Sequence, residues 1–428
     1  MNEEKIPVNI FYTFAFLGLW LIASTVTFGI ESLPIVYTNF LCGALLILFG
    51  LKSRKGPSAF AIWAITLLGI WLQFSPLVFW APTAAGYIND TFVGIWVIAL
   101  AITLHPMPGH TLREFSTIPP GWSFNPSAWP QRLPIALLAF FCWMIARYLS
   151  AYQLHYLDTV WDPFFTPGTH AVLESSVSKL FPVSDAGLGA LAYTLEFFSA
   201  CQGGTNRWRT APWLVLVFGI LVIPVSIVST ILIICQPLSV GTWCTLCLIT
   251  ALCMLCSVPF AIAEVAATCQ FLRYNKRKPF FTLLIHGDEC PGETPDRRSP
   301  SMDAPLTTIF KASLSSITLP WNLVLTALLG ISLMATPSVL RLGGALFDFD
   351  PILGALVTIA SVISFAEYAR KTRHLIPLVS LALLALTWLF HTQQDLPILL
   401  YHTGFALAVA FLSLRKGPIY EKSDFRMK

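Results

Sequence analysis

Apolar runs of roughly 20 residues recur along the whole chain, each closed by a short polar or Pro/Gly-rich break. At a rise of about 1.5 Å per residue, such a run matches the hydrocarbon core of a bilayer. The pattern predicts twelve spanning helices, near 10–28, 34–51, 59–80, 90–105, 132–151, 186–201, 212–235, 242–271, 321–338, 350–369, 375–391 and 398–415. They fall into three blocks of four. "HPMPGHTLREFSTIPPGWSFNPSAWPQR" separates the first two blocks, and "RYNKRKPFFTLLIHGDECPGETPDRRSPSMDAPL" separates the last two. Both read as polar linkers with little structure of their own. The expected organisation is a hairpin block at 1–105, a linker at 106–131, a four-helix bundle at 132–271, a linker at 272–318, a second hairpin block at 319–415 and a tail at 416–428. The fold class is therefore an all-α polytopic membrane protein of about twelve transmembrane helices, with a central four-helix bundle flanked by two blocks of helical hairpins.

Composition agrees. The 428 residues are 56% hydrophobic and only 11% charged, with a mean hydropathy of +0.70. A water-exposed surface needs more charge than this, and a transmembrane barrel would show short alternating segments instead. The opening "MNEEKIPVNI" leads into an apolar run with no basic region and no small-residue cleavage site, so no cleavable signal peptide is expected.

The net charge of +4 lies almost wholly in loops, where it reads as topology information and not as a nucleic-acid footprint. "KSRKG", "NRWR", "RYNKRK", "ARKTRH" and "LRKG" each follow an even-numbered span. This places both termini and both linkers in the cytoplasm. The loop 152–185 and the turn "QPLSVG" then lie outside, with a bacterial inner membrane as the expected location.

The outer blocks repeat internally. "LGLWLIAS" ending at Ser24 parallels "LGIWLQFSP" around Ser75, and Asn39–Gly43 parallels Asp90–Gly94. "LGISLMATP" followed by Asp350 and Gly354 is a third copy, and "LTWLFHT" followed by Gly404 a degenerate fourth. Each copy is a helix–turn–helix hairpin. The Ser/Thr-Pro step ends or kinks the first helix, the Asn or Asp caps the second, and the Gly allows close packing. These hairpins resemble the SPW repeat, a small membrane module.

Four of the ten cysteines lie within "CTLCLITALCMLC". Cys244 and Cys247 share one helical face at a helix N-terminus, where unpaired N–H groups and the dipole stabilise a thiolate. Trp243 beside them suits a membrane interface. Redox chemistry and structural burial both remain open on spacing alone. Cys253 and Cys256 lie two to three turns deeper, where a thiolate is costly, and read as packing. Cys42, Cys142, Cys201 and Cys269 read as apolar filler. "HGDEC" offers one His and one Cys, short of a zinc set, so no metal is expected. No phosphate-binding loop, dinucleotide fingerprint or nucleophile elbow is present.

Residues of about 132–271 resemble the vitamin K epoxide reductase family. The likeness rests on "VLESS" at 172–176, "DAGLGALAYTLEFFSAC" at 185–201 and "TWCTLC" at 242–247, in that order. It implies a C-x-x-C that passes two electrons to a lipid quinone, of ubiquinone or menaquinone type, held among four helices. Cys247 would face the quinone and Cys244 would exchange disulfides with an extracytoplasmic, thioredoxin-like thiol protein. Asp185 would either hydrogen-bond a quinone oxygen or cap its helix, and Trp243 would neighbour the cofactor. The loop "TVWDPFFTPGTHAVLESS" departs from the family pattern: alignment on Asp162 puts Trp161 and Thr169 where family members often carry two shuttle cysteines. The chain is therefore either a thiol–quinone oxidoreductase served directly by a separate thiol protein, or a quinone-binding scaffold built on a retired core. A transporter is a third, weaker reading of the duplicated hairpins.

Overall fold

The computed structural model describes residues 8–54, 56, 58–104, 115–340, 344–390 and 396–423. The expectation about a leader falls on residues 1–7, outside the described residues, as do 105–114 of the first linker. Among the described residues the chain is predominantly helical. The helices are α1 (Val8–Thr27), α2 (Leu33–Ser53), α3 (Ala59–Val78), α4 (Ala84–Ala101), α5 (Trp129–Gln153), α6 (Gly168–Leu173), α7 (Asp185–Cys201) and α8 (Arg207–Thr210). Then follow α9 (Pro212–Cys235), α10 (Thr245–Tyr274), α11 (Phe280–His286), α12 (Leu306–Ser313), α13 (Trp321–Leu340), α14 (Ala345–Ile363), α15 (Leu375–Leu389) and α16 (Leu396–Leu414). Eleven of the described helices are long and apolar enough to cross a membrane; the twelfth expected span is the 17-residue α7. This is an all-α, multi-pass membrane protein.

The chain forms two compact units. One holds Met1–Arg113, Ala139–Trp161 and Leu173–Gly204; the other holds Glu114–Leu138, Asp162–Val172 and Thr205–Lys428. In the first, α1/α2 and α3/α4 are antiparallel hairpins around a core of Phe14, Leu21, Leu46, Ile65, Leu72 and Val97. In the second, α13/α14 and α15/α16 enclose Leu333, Val357, Ile376, Leu383 and Ala406. Large apolar side chains such as Phe16, Leu41, Leu381 and Phe411 are exposed, while Ser24, Asn39, Asp90, Asp350 and His402 are buried. That inversion of the water-soluble pattern suits a surface facing lipid.

Glycine sets the spacing of three hairpins. A Cβ at Gly43 would lie 2.6 Å from the Gly18 carbonyl oxygen, one at Gly94 2.7 Å from that of Gly69, and one at Gly354 2.5 Å from that of Gly330. Only a residue without a side chain allows this backbone approach. The fourth copy departs: a Cβ at Gly404 would meet nothing within 4 Å. The expected capping roles also fail. Asn39, Asp90 and Asp350 lie inside α2, α4 and α14 and are fully buried. Thr83 caps α4, accepting from Gly86 N–H. Because Asp90 and Asp350 looked like helix starts, the predicted spans began five or six residues late. In a membrane helix a polar residue is not a terminus signal when a neighbouring helix supplies its partner.

The linkers, expected to be unstructured, are built segments where described. β1 (Thr117–Ile118) pairs antiparallel with β2 (Thr294–Pro295), Thr117 opposite Pro295. Trp122 and Phe124 pack against Ala263, Ala266 and Ala267 of α10. The basic clusters do more than mark topology. Arg207 is fully buried and makes a bidentate pair with Glu264 of α10, Nε–Oε1 and Nη2–Oε2 both 2.7 Å, while Ser127 Oγ donates to Glu264 Oε1 at 2.5 Å. Glu264 is thus an internal anchor. Arg373 donates to the Ser413 and Leu414 carbonyls at the end of α16, satisfying groups the helix leaves open. Glu367, past the end of α14, accepts the Tyr420 and Glu421 N–H groups.

Glu264→Ala removes the buried carboxylate that pairs with Arg207, so a loss of about 3–5 kcal/mol is expected from detergent unfolding curves. Gly43→Val and Gly354→Val should each cost about 1–3 kcal/mol by overpacking, against less than about 0.5 kcal/mol for Gly404→Ala.

Candidate functional site

The sulfurs of Cys244 and Cys247 are joined in a disulfide, with the Cα atoms 5.3 Å apart. The local chain dictates this. Residues 236–240, "QPLSV", end α9 in a wide turn, and Gly241 takes φ +78° to reverse the chain into α10. Cys244 is the N-cap of α10, in extended backbone at φ −101°, and its Sγ accepts the Cys247 N–H at 3.2 Å. The Cys244 N–H in turn donates to Gln236 Oε1 at 2.9 Å. A sulfur at this position faces the unpaired first-turn N–H groups and the positive end of the helix dipole, an arrangement that favours a thiolate on reduction. Cys244 is fully buried, and Cys247 is half-buried.

Trp243 is not at an exposed interface. It is 8% exposed, and its Nε1 donates to Ser338 Oγ of α13 at 3.2 Å. The end of α13 thus packs on the cysteine turn.

The loop 162–172 closes over the same turn through a residue that sequence reasoning used only for alignment. Asp162 Oδ1 accepts from Thr245 Oγ1 at 2.6 Å and from the Phe165 N–H at 3.1 Å, and Oδ2 accepts from the Thr169 N–H at 2.7 Å. Burial pushes the Asp162 carboxyl up, but the bonds from Thr245, Thr169 and Phe165 outweigh it and hold its pKa below the ordinary carboxylate value. Gly168 lies so close to the turn that a Cβ there would be 2.2 Å from the Trp243 carbonyl oxygen. The signal for this clamp was the Asp-Pro step in "WDPFF", since an Asp side chain commonly bonds backbone a few residues on. Thr169, where a shuttle cysteine would align, is buried, and Phe164 is 77% exposed, as befits an aromatic side chain at a membrane interface.

Asp185 belongs to the other compact unit. Ser184, not Asp185, is the N-cap of α7, accepting the Gly187 N–H at 2.9 Å. Asp185 is the first helical residue; its Oδ1 accepts from Gln153 Nε2 and from the Ala186 N–H, at 2.5 and 2.7 Å. Gln153 also donates to Ser178 Oγ at 2.6 Å and accepts from Ser184 Oγ at 2.5 Å. This polar knot ties α5, the loop and α7 together.

Cys290 of "HGDEC" is buried beside Trp208, Phe271 and Leu283, and burial pushes its thiol up to about 12. It is a packing residue. Among the described residues no three His, Cys, Asp or Glu side chains gather as a metal set would.

Two family models match the chain. Residues 133–262 match the vitamin K epoxide reductase family, and residues 12–104 match the SPW repeat domain. No curated protein and no solved structure matches it. The first match covers the C-x-x-C, the 162–172 loop and α7. The second covers both hairpins of the N-terminal block.

Asp162→Ala removes the clamp. Losing charge-assisted bonds worth roughly 1–3 kcal/mol should raise the open-loop population, and with it the maleimide reaction rate of reduced Cys244, at least about fivefold. Because the folded carboxyl titrates below its unfolded value, the clamp is at full strength above about pH 4 and is lost as pH falls through the lower folded value. In the wild type, Cys244 labelling should therefore stay slow down to that acid range.

Proposed function

We propose that this protein is a membrane thiol–disulfide oxidoreductase that exchanges two electrons between the Cys244–Cys247 pair and a lipid quinone of ubiquinone or menaquinone type. One observation carries the reading: a C-x-x-C disulfide stands at the N-terminus of a membrane helix, inside a segment matching the vitamin K epoxide reductase family. The reaction balances without a further reagent. The dithiol gives up two electrons and two protons and forms the S–S bond; the quinone takes them up and becomes the quinol. The same bonds serve the reverse direction.

The roles divide by accessibility and by family likeness. Cys247, half-buried, is the sulfur assigned to the quinone. Cys244 is assigned to exchange with an extracytoplasmic thiol protein of thioredoxin type. Its sulfur is buried, so the partner engages only when the turn and the loop bonded to it at Thr245 open. Trp243 is assigned as a quinone neighbour on the family likeness. The reductase core extends over about 132–271, the hairpin blocks at 1–105 and 319–415 flank it, and the C-terminal block shares the repeat of the N-terminal one. The setting is a bacterial inner membrane, with cytoplasmic termini and the start of α10 at the outer face.

Purified protein in lipid is reduced, exposed to a short-chain quinone, and trapped under denaturing conditions with a maleimide whose mass counts free thiols. Quinone should remove two alkylatable thiols from the wild type and none from Cys247→Ser. A pair that stays fully alkylatable with quinone present would leave the scaffold reading in its place.

A further inference from the structure

The hairpin blocks bury ionisable groups that the sulfur chemistry does not use. In the C-terminal block, His402 of α16 and Asp350 of α14 are both fully buried. His402 Nε2 lies 3.2 Å from Asp350 Oδ1 and 3.1 Å from Oδ2, and His402 Nδ1 lies 3.0 Å from the Ile398 carbonyl oxygen. The aromatic rings of Phe347 and Tyr401 flank the imidazole, with centroids 5.7 and 5.2 Å away. The Tyr401 hydroxyl is engaged with Thr336 Oγ1.

Proton counting follows from the acceptors. A carbonyl oxygen faces Nδ1, so Nδ1 carries hydrogen. Two carboxylate oxygens face Nε2, and that contact also holds only with a proton in it. With both protons the pair is neutral overall, whether it is written as imidazolium with carboxylate or as imidazole with carboxylic acid. With only one, a net negative charge is left in an apolar block, at heavy cost.

The same register recurs in the N-terminal block. Asp90 of α4 stands four residues before its packing glycine, as Asp350 does, and is met by Asn39 of α2, whose Nδ2 donates to Oδ1 at 2.9 Å. Asn89 Nδ2 donates to that oxygen at 3.1 Å and to Ser24 Oγ at 3.0 Å, and Trp20 Nε1 fixes the Asn89 amide by donating to its Oδ1 at 2.8 Å. Asp90 Oδ2 and Asn39 Oδ1 are left buried with no hydrogen-bond partner among the described residues. Both are acceptors, and they sit on two groups already joined at their other ends. A proton on Asp90 Oδ2 supplies the missing donor, and Asn39 Oδ1 is the acceptor it lacks.

We propose that each hairpin block carries an intramembrane proton-binding site, Asp350–His402 in one and Asp90–Asn39 in the other, whose ligand is a proton shared between the two hairpins. Full-length protein in lipid, labelled with ¹⁵N-histidine, tests the first by solid-state NMR, the His402 signals being those lost in His402→Gln. Nδ1 should be protonated at pH 7 and Nε2 should show a shared or bound hydrogen; an unprotonated Nδ1 at that pH overturns the assignment. For the second, infrared spectra of ¹³C-aspartate protein should show a carboxylic-acid C=O band at pH 7 that disappears in Asp90→Asn. An unchanged carboxylic-acid region in that variant overturns it. If Asp90→Asn fails to fold, Asn39→Leu gives a second reading: with the amide gone, the Asp90 acid band must shift in frequency, and an unmoved band counts against the pairing.

Discussion

A polar group inside a bilayer has no water to turn to, and most of this structure follows from that constraint. Apolar side chains face lipid at little cost, so they carry almost no positional information. The polar ones do. Asp90 finds Asn39, Asp350 finds His402, and Glu264 finds Arg207 and Ser127. Each pairing crosses from one helix or segment to another and so fixes which elements lie side by side. Glycine supplies the complementary device, since at Gly18–Gly43, Gly69–Gly94 and Gly330–Gly354 the backbones touch. Small residues and satisfied polar groups hold the hairpins where hydrophobic burial, the main force in water, has little to act on.

The cysteine turn obeys the same rule at a membrane edge. Gln236 satisfies the Cys244 N–H, Cys244 Sγ satisfies the Cys247 N–H, and Asp162 satisfies Thr245 together with two loop amides. The 162–172 loop brings a carboxylate to the turn and is held there by hydrogen bonds.

Much of the fold was legible in the chain. Apolar runs of bilayer length placed α1, α2, α3, α5, α7, α9, α10, α13, α15 and α16 to within a few residues, because length and hydropathy are local properties. The starts of α4 and α14 were misjudged for a nonlocal reason. Asp90 and Asp350 resemble helix boundaries when read alone, and only a neighbouring helix makes them interior. The linkers misled in the same way. "GWSFNPSAW" and "HGDEC" look like solvated connectors by composition, yet Trp122, Phe124, Ser127 and Cys290 are buried against α8, α10 and α11.

What the sequence determined by itself was the membrane class, the number and rough position of the helices, the hairpin repeat and the C-x-x-C spacing. Each depends on residues within a few turns of one another, where rise, periodicity and hydropathy are sufficient. What only the tertiary structure decided was which polar groups meet. Asp162 reaches Thr245 across 83 residues, Arg207 reaches Glu264 across 57 and Asp350 reaches His402 across 52. No local pattern encodes those meetings, because each is selected by the cost of leaving a charge or a donor unpaired once the helices have come together.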